Sequence, residues 1–309
     1  MNKFILFFLF FYSINLNLQS QWTQIGPIGG TVYSVAATGP NIFVGTDGGA
    51  FKSTDNGETW LETTLKYYNA GMVYALFIDE TRIFAGAGTL GRGINLSTDN
   101  GQTWNNVLTN QFINCFVKKD SKYFAGTCTS GVLVSSDNGQ TWNQTNLTVF
   151  NIQSISVSDS LIFAGTFGHG IFSSSDNGIN WNQVPLYNNN LLIYSLYVDG
   201  PKIFAGTNDN ILYFSSNYGS IWIQSLTGHA VYAIAVNGET IFAGTHEGIF
   251  ISSDYGKTWN QSSINNQLIG SILGPFHQIR GAGLASHGLQ GGCDSERSSA
   301  ARTARGRQS

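Results

Sequence analysis

Charge and cysteine are both scarce in this sequence. Charged residues make up 11% of the chain, and three cysteines serve 309 residues. Three cysteines cannot form a disulfide framework, although one Cys115–Cys128 bridge is sterically open to the sequence. Arginine is rarer still: residues 1–274 hold two Arg and eight Lys against 16 acidic residues, a net charge of −6. An acidic body with no basic stripe argues against nucleic acid as a partner. Beyond the N-terminus no run of 18 apolar residues occurs, so no membrane-spanning helix is expected. The five histidines (169, 229, 246, 277 and 287) show no metal-ligand spacing, and neither a metal nor a cofactor is expected.

What is abundant is glycine, at 37 residues, and aromatics, at 13%. That balance suits short strands joined by tight turns, so the class expected is all-β. The N-terminus reads Met1-Asn2-Lys3, an apolar run from Phe4 to Tyr12, then a polar stretch to Ser20. This is the layout of a secretory signal over residues 1–20, too short to span a bilayer, and it predicts a secreted or cell-surface protein.

The strongest signal is a repeat. Ser-x-Asp-x-Gly-x-Thr-Trp occurs from Ser53 to Trp60, Ser97 to Trp104 and Ser135 to Trp142. It recurs with changes from Ser174 to Trp181 and from Ser215 to Trp222, and intact from Ser252 to Trp259. The third positions are Asp55, Asp99, Asp137, Asp176, Asn217 and Asp254, spaced by 37 to 44 residues, the size of one four-stranded propeller blade. Each copy follows an Ile-Phe-Ala-Gly-Thr type of strand (Ile162, Ile203 and Ile241 open three of them). That strand in turn follows an alternating one such as Val231-Tyr232-Ala233-Ile234. The third position of the alternating strand is always small (Ser34, Ala75, Cys115, Ser154, Ser195, Ala233), as expected for an innermost strand. Four strands per repeat result, here lettered A to D from the axis outward. In the eight-residue turn the Asp carboxylate can accept backbone N–H bonds two or three residues on. Gly supplies backbone angles other residues avoid, and the six residues Trp60, Trp104, Trp142, Trp181, Trp222 and Trp259 open strand D with apolar surface to bury.

Over residues 22–273 the chain resembles the Asp-box, or BNR-repeat, propellers. These include sialidases, xyloglucan-cleaving glycosidases, sortilin-type receptor domains and photosystem II assembly factors. The resemblance implies a β-propeller of four-stranded blades. It implies that the boxes, lying on the blade rims in these families, are scaffold and not site. Six complete repeats are expected, with Ile269–Leu273 matching strand A of a partial seventh blade and Gln21-Trp22-Thr23-Gln24 matching an orphan strand D that closes the ring. The propeller is thus expected over residues 21–273. From Gly274 onward the pattern stops, Asn disappears and five Arg replace Lys. Residues 274–309 read as a non-repeat tail, either disordered native sequence or the product of a truncated or frame-shifted seventh blade.

Strand direction puts the B–C and D–A loops on one face and the A–B turns and boxes on the other. Of the acidic residues in the body, only Asp47, Asp209 and Glu247 fall in B–C loops, with Arg92, His169 and His246 on the same set of loops. Tyr67 and Tyr187 stand in D–A loops. These eight are the candidate ligand-binding residues. Asp209 and Glu247, in neighbouring blades, are the one pair that could act as general acid and base. Sialidase chemistry, by the resemblance, would need three arginines on a substrate carboxylate, and the propeller offers only Arg82 and Arg92. Two functions therefore compete: a monomeric, non-catalytic exported propeller binding a protein or carbohydrate through its loop face, or a glycoside hydrolase of the Asp-box type.

Overall fold

The computed structural model describes residues 31–66, 72–88, 93–149, 151–158, 160–266 and 268–272. The expected leader, the orphan strand at Trp22, the tail, Tyr67 and Arg92 lie outside them. Among the described residues there is no helix. Twenty-four strands form six four-stranded antiparallel sheets, each in sequence order from A to D. These blades span Val32–Lys66, Val73–Leu108, Ile113–Gln144, Ile152–Val184, Ile193–Thr227 and Val231–Asn265, and they are arranged as a β-propeller. Strands A of consecutive blades pack side by side from the first blade to the sixth, so they line the axis.

Strand B is the core of every blade. Ile42, Ile83, Ile162, Ile203 and Ile241 are fully buried, as are Phe43, Phe84, Phe124 and Phe163, because strand B lies inside its sheet, between strands A and C. Two contacts join consecutive blades, the first at all five junctions and the second at four, Gly219 of the fifth blade meeting Val184 instead. In the first, the Gly that ends the strand-B motif receives the first residue of the next strand A: Gly45 meets Val73, Gly86 meets Ile113, Gly126 meets Ile152, Gly165 meets Ile193 and Gly206 meets Val231. A side chain on Gly45, Gly126 or Gly206 would also strike its cross-strand partner, Ser34, Cys115 or Ser195. The small third position of strand A is therefore set by this junction rather than by crowding at the axis alone. In the second contact, the strand-B Phe packs under the box Gly of the following blade: Phe43 under Gly101, Phe84 under Gly139, Phe124 under Gly178 and Phe204 under Gly256. The two sequence signatures are thus two halves of one interface.

Residues 268–272 extend the series. Ile269 packs on Gly244 as Val231 packs on Gly206, its N–H donates to the Thr245 carbonyl at 2.8 Å, and Ile269 and Ile272 are buried with Ala233, Phe242 and Ile264.

The eight-residue turns hold a repeated hydrogen-bond pattern. In the first, the Ser53 hydroxyl donates to Asp55 Oδ1 at 2.7 Å and accepts from Gly57 N at 2.8 Å. Thr59 N and Thr59 Oγ1 donate to the two Asp55 oxygens at 2.9 and 2.5 Å. The carboxylate thus reaches four residues ahead, one further than its sequence position suggested. Asn56 and Gly57 both adopt positive φ, 58° and 93°, and Asn tolerates that region better than most side chains. Bonds from the threonine hydroxyl, its backbone and Ser53 hold the Asp55 carboxyl at about 2. The same set of donors does so at Asp99, Asp137 and Asp254. Asp176 is also lowered, with Asn180 supplying both donors. Five tryptophans anchor the turn from below: Trp60, Trp142, Trp181 and Trp259 donate Nε1 to the box Gly carbonyl, whereas Trp222 reaches Pro185 of the previous blade at 2.9 Å. Cys115 is free and fully buried, so the Cys115–Cys128 bridge is not formed.

Candidate functional site

Five of the six B–C loops are built by one hydroxyl at the end of strand B; the second blade has Ala87 there. Thr46, Thr127, Thr166, Thr207 and Thr245 are buried and donate across the loop to the carbonyls of Gly49, Gly131, Gly170, Ile211 and Gly248, at 2.7 to 3.0 Å. A second fixing point comes from strand D, where the Gln of Trp-Asn-Gln reaches over the loop. Gln144 donates to the Ser130 carbonyl, Gln183 to that of His169 and Gln261 to that of Glu247, each at 2.9 to 3.0 Å. The loops that carry His169 and Glu247 are therefore held from both sides, and a site built on them keeps its shape.

The three carboxylates assigned to this face from the sequence do stand on it, in three separate settings. Asp47 is exposed, and its charge contributes, after burial, to raising the Tyr33 hydroxyl above its ordinary pKa. Asp209 Oδ2 accepts from Tyr213 OH at 2.8 Å, and Oδ1 lies against Thr207 Oγ1, whose single hydrogen it shares with the Ile211 carbonyl, so the carboxylate is turned toward its own blade. Burial first, then the Asp209 contact and charge, push the Tyr213 hydroxyl up, with a smaller contribution from Tyr187 nearby. Glu247 lies between two rings, 3.1 Å from His229 Nδ1 and 3.4 Å from His246 Nε2. The His229 contact has ion-pair distance without the alignment of a hydrogen bond, and the ring rests on Phe250 with centroids 4.3 Å apart. Among the described residues no hydrogen bond or ion pair links Asp209 to Glu247. His169 is exposed at its loop tip, and Tyr187 is 91% exposed. Arg82 pairs with Asp79 at 3.9 Å on the opposite face, where Lys118 also reaches Asp79 at 2.8 Å.

Sequence reasoning missed the residues nearest the axis. In all six blades the A–B ladder slips by one residue at the second position of strand A, between Val32 and Ser34 in the first blade and at the matching place in the others. The bulged residues are Tyr33, Tyr74, Asn114, Gln153, Tyr194 and Tyr232. A bulge turns its side chain out of the pleat, and bulges recur at barrel rims beside binding sites. Because strand A begins beside the B–C loop, these six side chains stand on the loop face. The available signal was Tyr in the second position of four of the six strands.

Six four-stranded blades with inner strands around a common axis define the class: this is a β-propeller. No family model matches the chain, and no curated protein is similar to it in sequence. Solved structures are similar in fold. The extracellular domain of BT4673 from B. thetaiotaomicron superposes with a TM-score of 0.67 at 17% identity, over 84% of this chain and 39% of that one. A GH74 enzyme of Niastella koreensis gives 0.63 at 17%, over 76% of this chain and 47% of that one. YCF48 bound to D1 peptide gives 0.64 at 13%, over 86% and 95%. The chain thus spans less than half the length of the first two. Likeness at these identities is likeness of fold.

Proposed function

We propose that this chain is an exported, non-catalytic β-propeller with blade turns of the Asp-box type, and that it binds a protein or a carbohydrate through the face carrying the B–C and D–A loops. The observation that supports this reading is that the two candidate carboxylates each have partners of their own. Asp209 is held by Tyr213 and lies against Thr207, and Glu247 sits between His229 and His246. Carboxylates engaged by neighbours in this way are weaker candidates for a paired general acid and base. Rigid loops bearing tyrosine, amide and imidazole groups are suited to binding. Export rests on the leader read at residues 1–20. The fold is shared with an extracellular domain and with a protein that holds a peptide, which is consistent with a binding role.

Fold likeness to a GH74 enzyme keeps a glycoside hydrolase as the rival reading. A screen of soluble polysaccharides for released reducing ends, run beside a glycan and peptide binding array, separates the two. Binding without turnover is expected. Turnover of any polysaccharide that disappears in Asp209→Asn or Glu247→Gln would replace the binding reading with the enzymatic one.

A further inference from the structure

The six bulged side chains form a set to which the loop residues above assign no function. They divide into aromatic and amide arcs. Tyr33 and Tyr74 have ring centroids 4.8 Å apart, and Tyr74 continues to Phe112 at 4.6 Å; Tyr194 and Tyr232 are 4.9 Å apart. In the blades between, Asn114 and Gln153 both donate to the Asn151 amide oxygen, the first at 3.2 Å, and Asn114 also reaches the Ile152 carbonyl at 2.8 Å. Tyr74 and Asn114 are buried, whereas Tyr33, Gln153, Tyr194 and Tyr232 are half-buried. The buried pair supports the other four, which meet solvent at the mouth of the axis. The tyrosine rings are tilted by 49° and 40° within their pairs and lie in contact, leaving no slot between them.

We infer that this ring at the mouth of the axis binds an uncharged carbohydrate chain, an inference that rests on the loop face being the binding face. Tyrosine rings offer flat apolar surface to the C–H faces of a sugar. Phenol and amide groups both donate and accept hydrogen bonds, as sugar hydroxyls do. The ring carries no cation, which an anionic ligand would need for charge-assisted bonds. A cationic peptide would pair with carboxylates, and the ring itself carries none: Asp47 and Glu247 stand in the surrounding loops, and Asp209 is turned to Thr207 and Tyr213. A protein partner would use such tyrosines together with aliphatic anchors at the centre of its footprint. The exposed aliphatic residues, Leu61, Ile179, Ile221 and Ile223, lie instead in the box turns and at the starts of strand D.

The test is affinity electrophoresis of the full chain in native gels cast with a neutral β-glucan, a neutral mannan or polygalacturonate, with an array of peptides run in parallel. Retardation by at least one neutral polymer and none by polygalacturonate is expected. Tyr194→Ala, Tyr232→Ala and Gln153→Ala should each weaken that retardation about tenfold, and Tyr194→Phe should retain most of it. Melting curves confirm that each variant is folded, and Gln153→Ala carries the test if a tyrosine variant is not. Lys202→Ala, on the opposite face, should leave retardation unchanged. No retardation by either neutral polymer, or binding only to polygalacturonate or to peptides, overturns the carbohydrate inference. Neutral-polymer binding lost in Tyr187→Ala or Glu247→Gln but kept in the ring variants overturns the ring while leaving the loop face standing. Loss confined to Lys202→Ala overturns both.

Discussion

Gly206 and Asp55 show what single residues do in this fold. Gly206 has no special backbone angle; it is required for space, because a Cβ there would meet the Val231 carbonyl and the Ser195 hydroxyl. Gly206→Ala should therefore destabilise the protein by about 1–3 kcal/mol, the usual cost of overpacking, seen as a lower urea midpoint. Asp55 shows an electrostatic effect. Its carboxyl, with those of Asp99, Asp137 and Asp254, is held at about 2 against an ordinary 3.8. A carboxyl depressed in the folded state contributes stability that is complete above its ordinary value and is lost as pH falls through the folded one. The melting temperature should thus fall as pH drops from about 4 to about 2. The variant with all four aspartates changed to asparagine should be flatter across that window. A wild-type curve no steeper than the variant's would show that the turns contribute nothing through these groups.

At the scale of elements, the fifth blade departs from its siblings. Asn217 stands for Asp and Ile221 for Thr, so the second turn bond is missing, Ile221 is 67% exposed and Trp222 turns to Pro185. Restoring the motif with Asn217→Asp and Ile221→Thr together should raise stability by about 0.5–1.5 kcal/mol, measurable as a higher melting temperature. The repeat made the blades legible because each carries the same two signatures, and strand order followed from their spacing. The loops were legible as positions only. That Asp47, Asp209 and Glu247 share a face follows from strand direction. That Asp209 answers to Tyr213, or Glu247 to His229, depends on side-chain reach across turns that spacing does not encode. The bulges were hidden for another reason. Alternation reads which face a residue is on, and a bulge is the place where alternation slips, so Tyr194 and Tyr232 looked like ordinary strand positions.

For the whole molecule, the junction between blades is the unit that matters, and it occurs six times with one geometry: a strand-B glycine against the first residue of the next inner strand, with Ile269 on Gly244 as the sixth. If residues 268–272 are an integral part of the propeller, Ile269→Ala should cost about 2–5 kcal/mol, the range for truncating a buried aliphatic side chain, in chemical denaturation. A change within about 0.5 kcal/mol, typical of surface positions, would mean that this segment only rests on the sixth blade. Sameness of the junctions also bears on how the chain reaches its fold. A blade of one molecule presents the same hollow as a blade of any other, and every inner strand carries a residue that fits it. During refolding, correct neighbours are favoured by the short connections between them rather than by any distinctive shape, so dilution should raise the yield of monomer and concentration should favour chains exchanging blades.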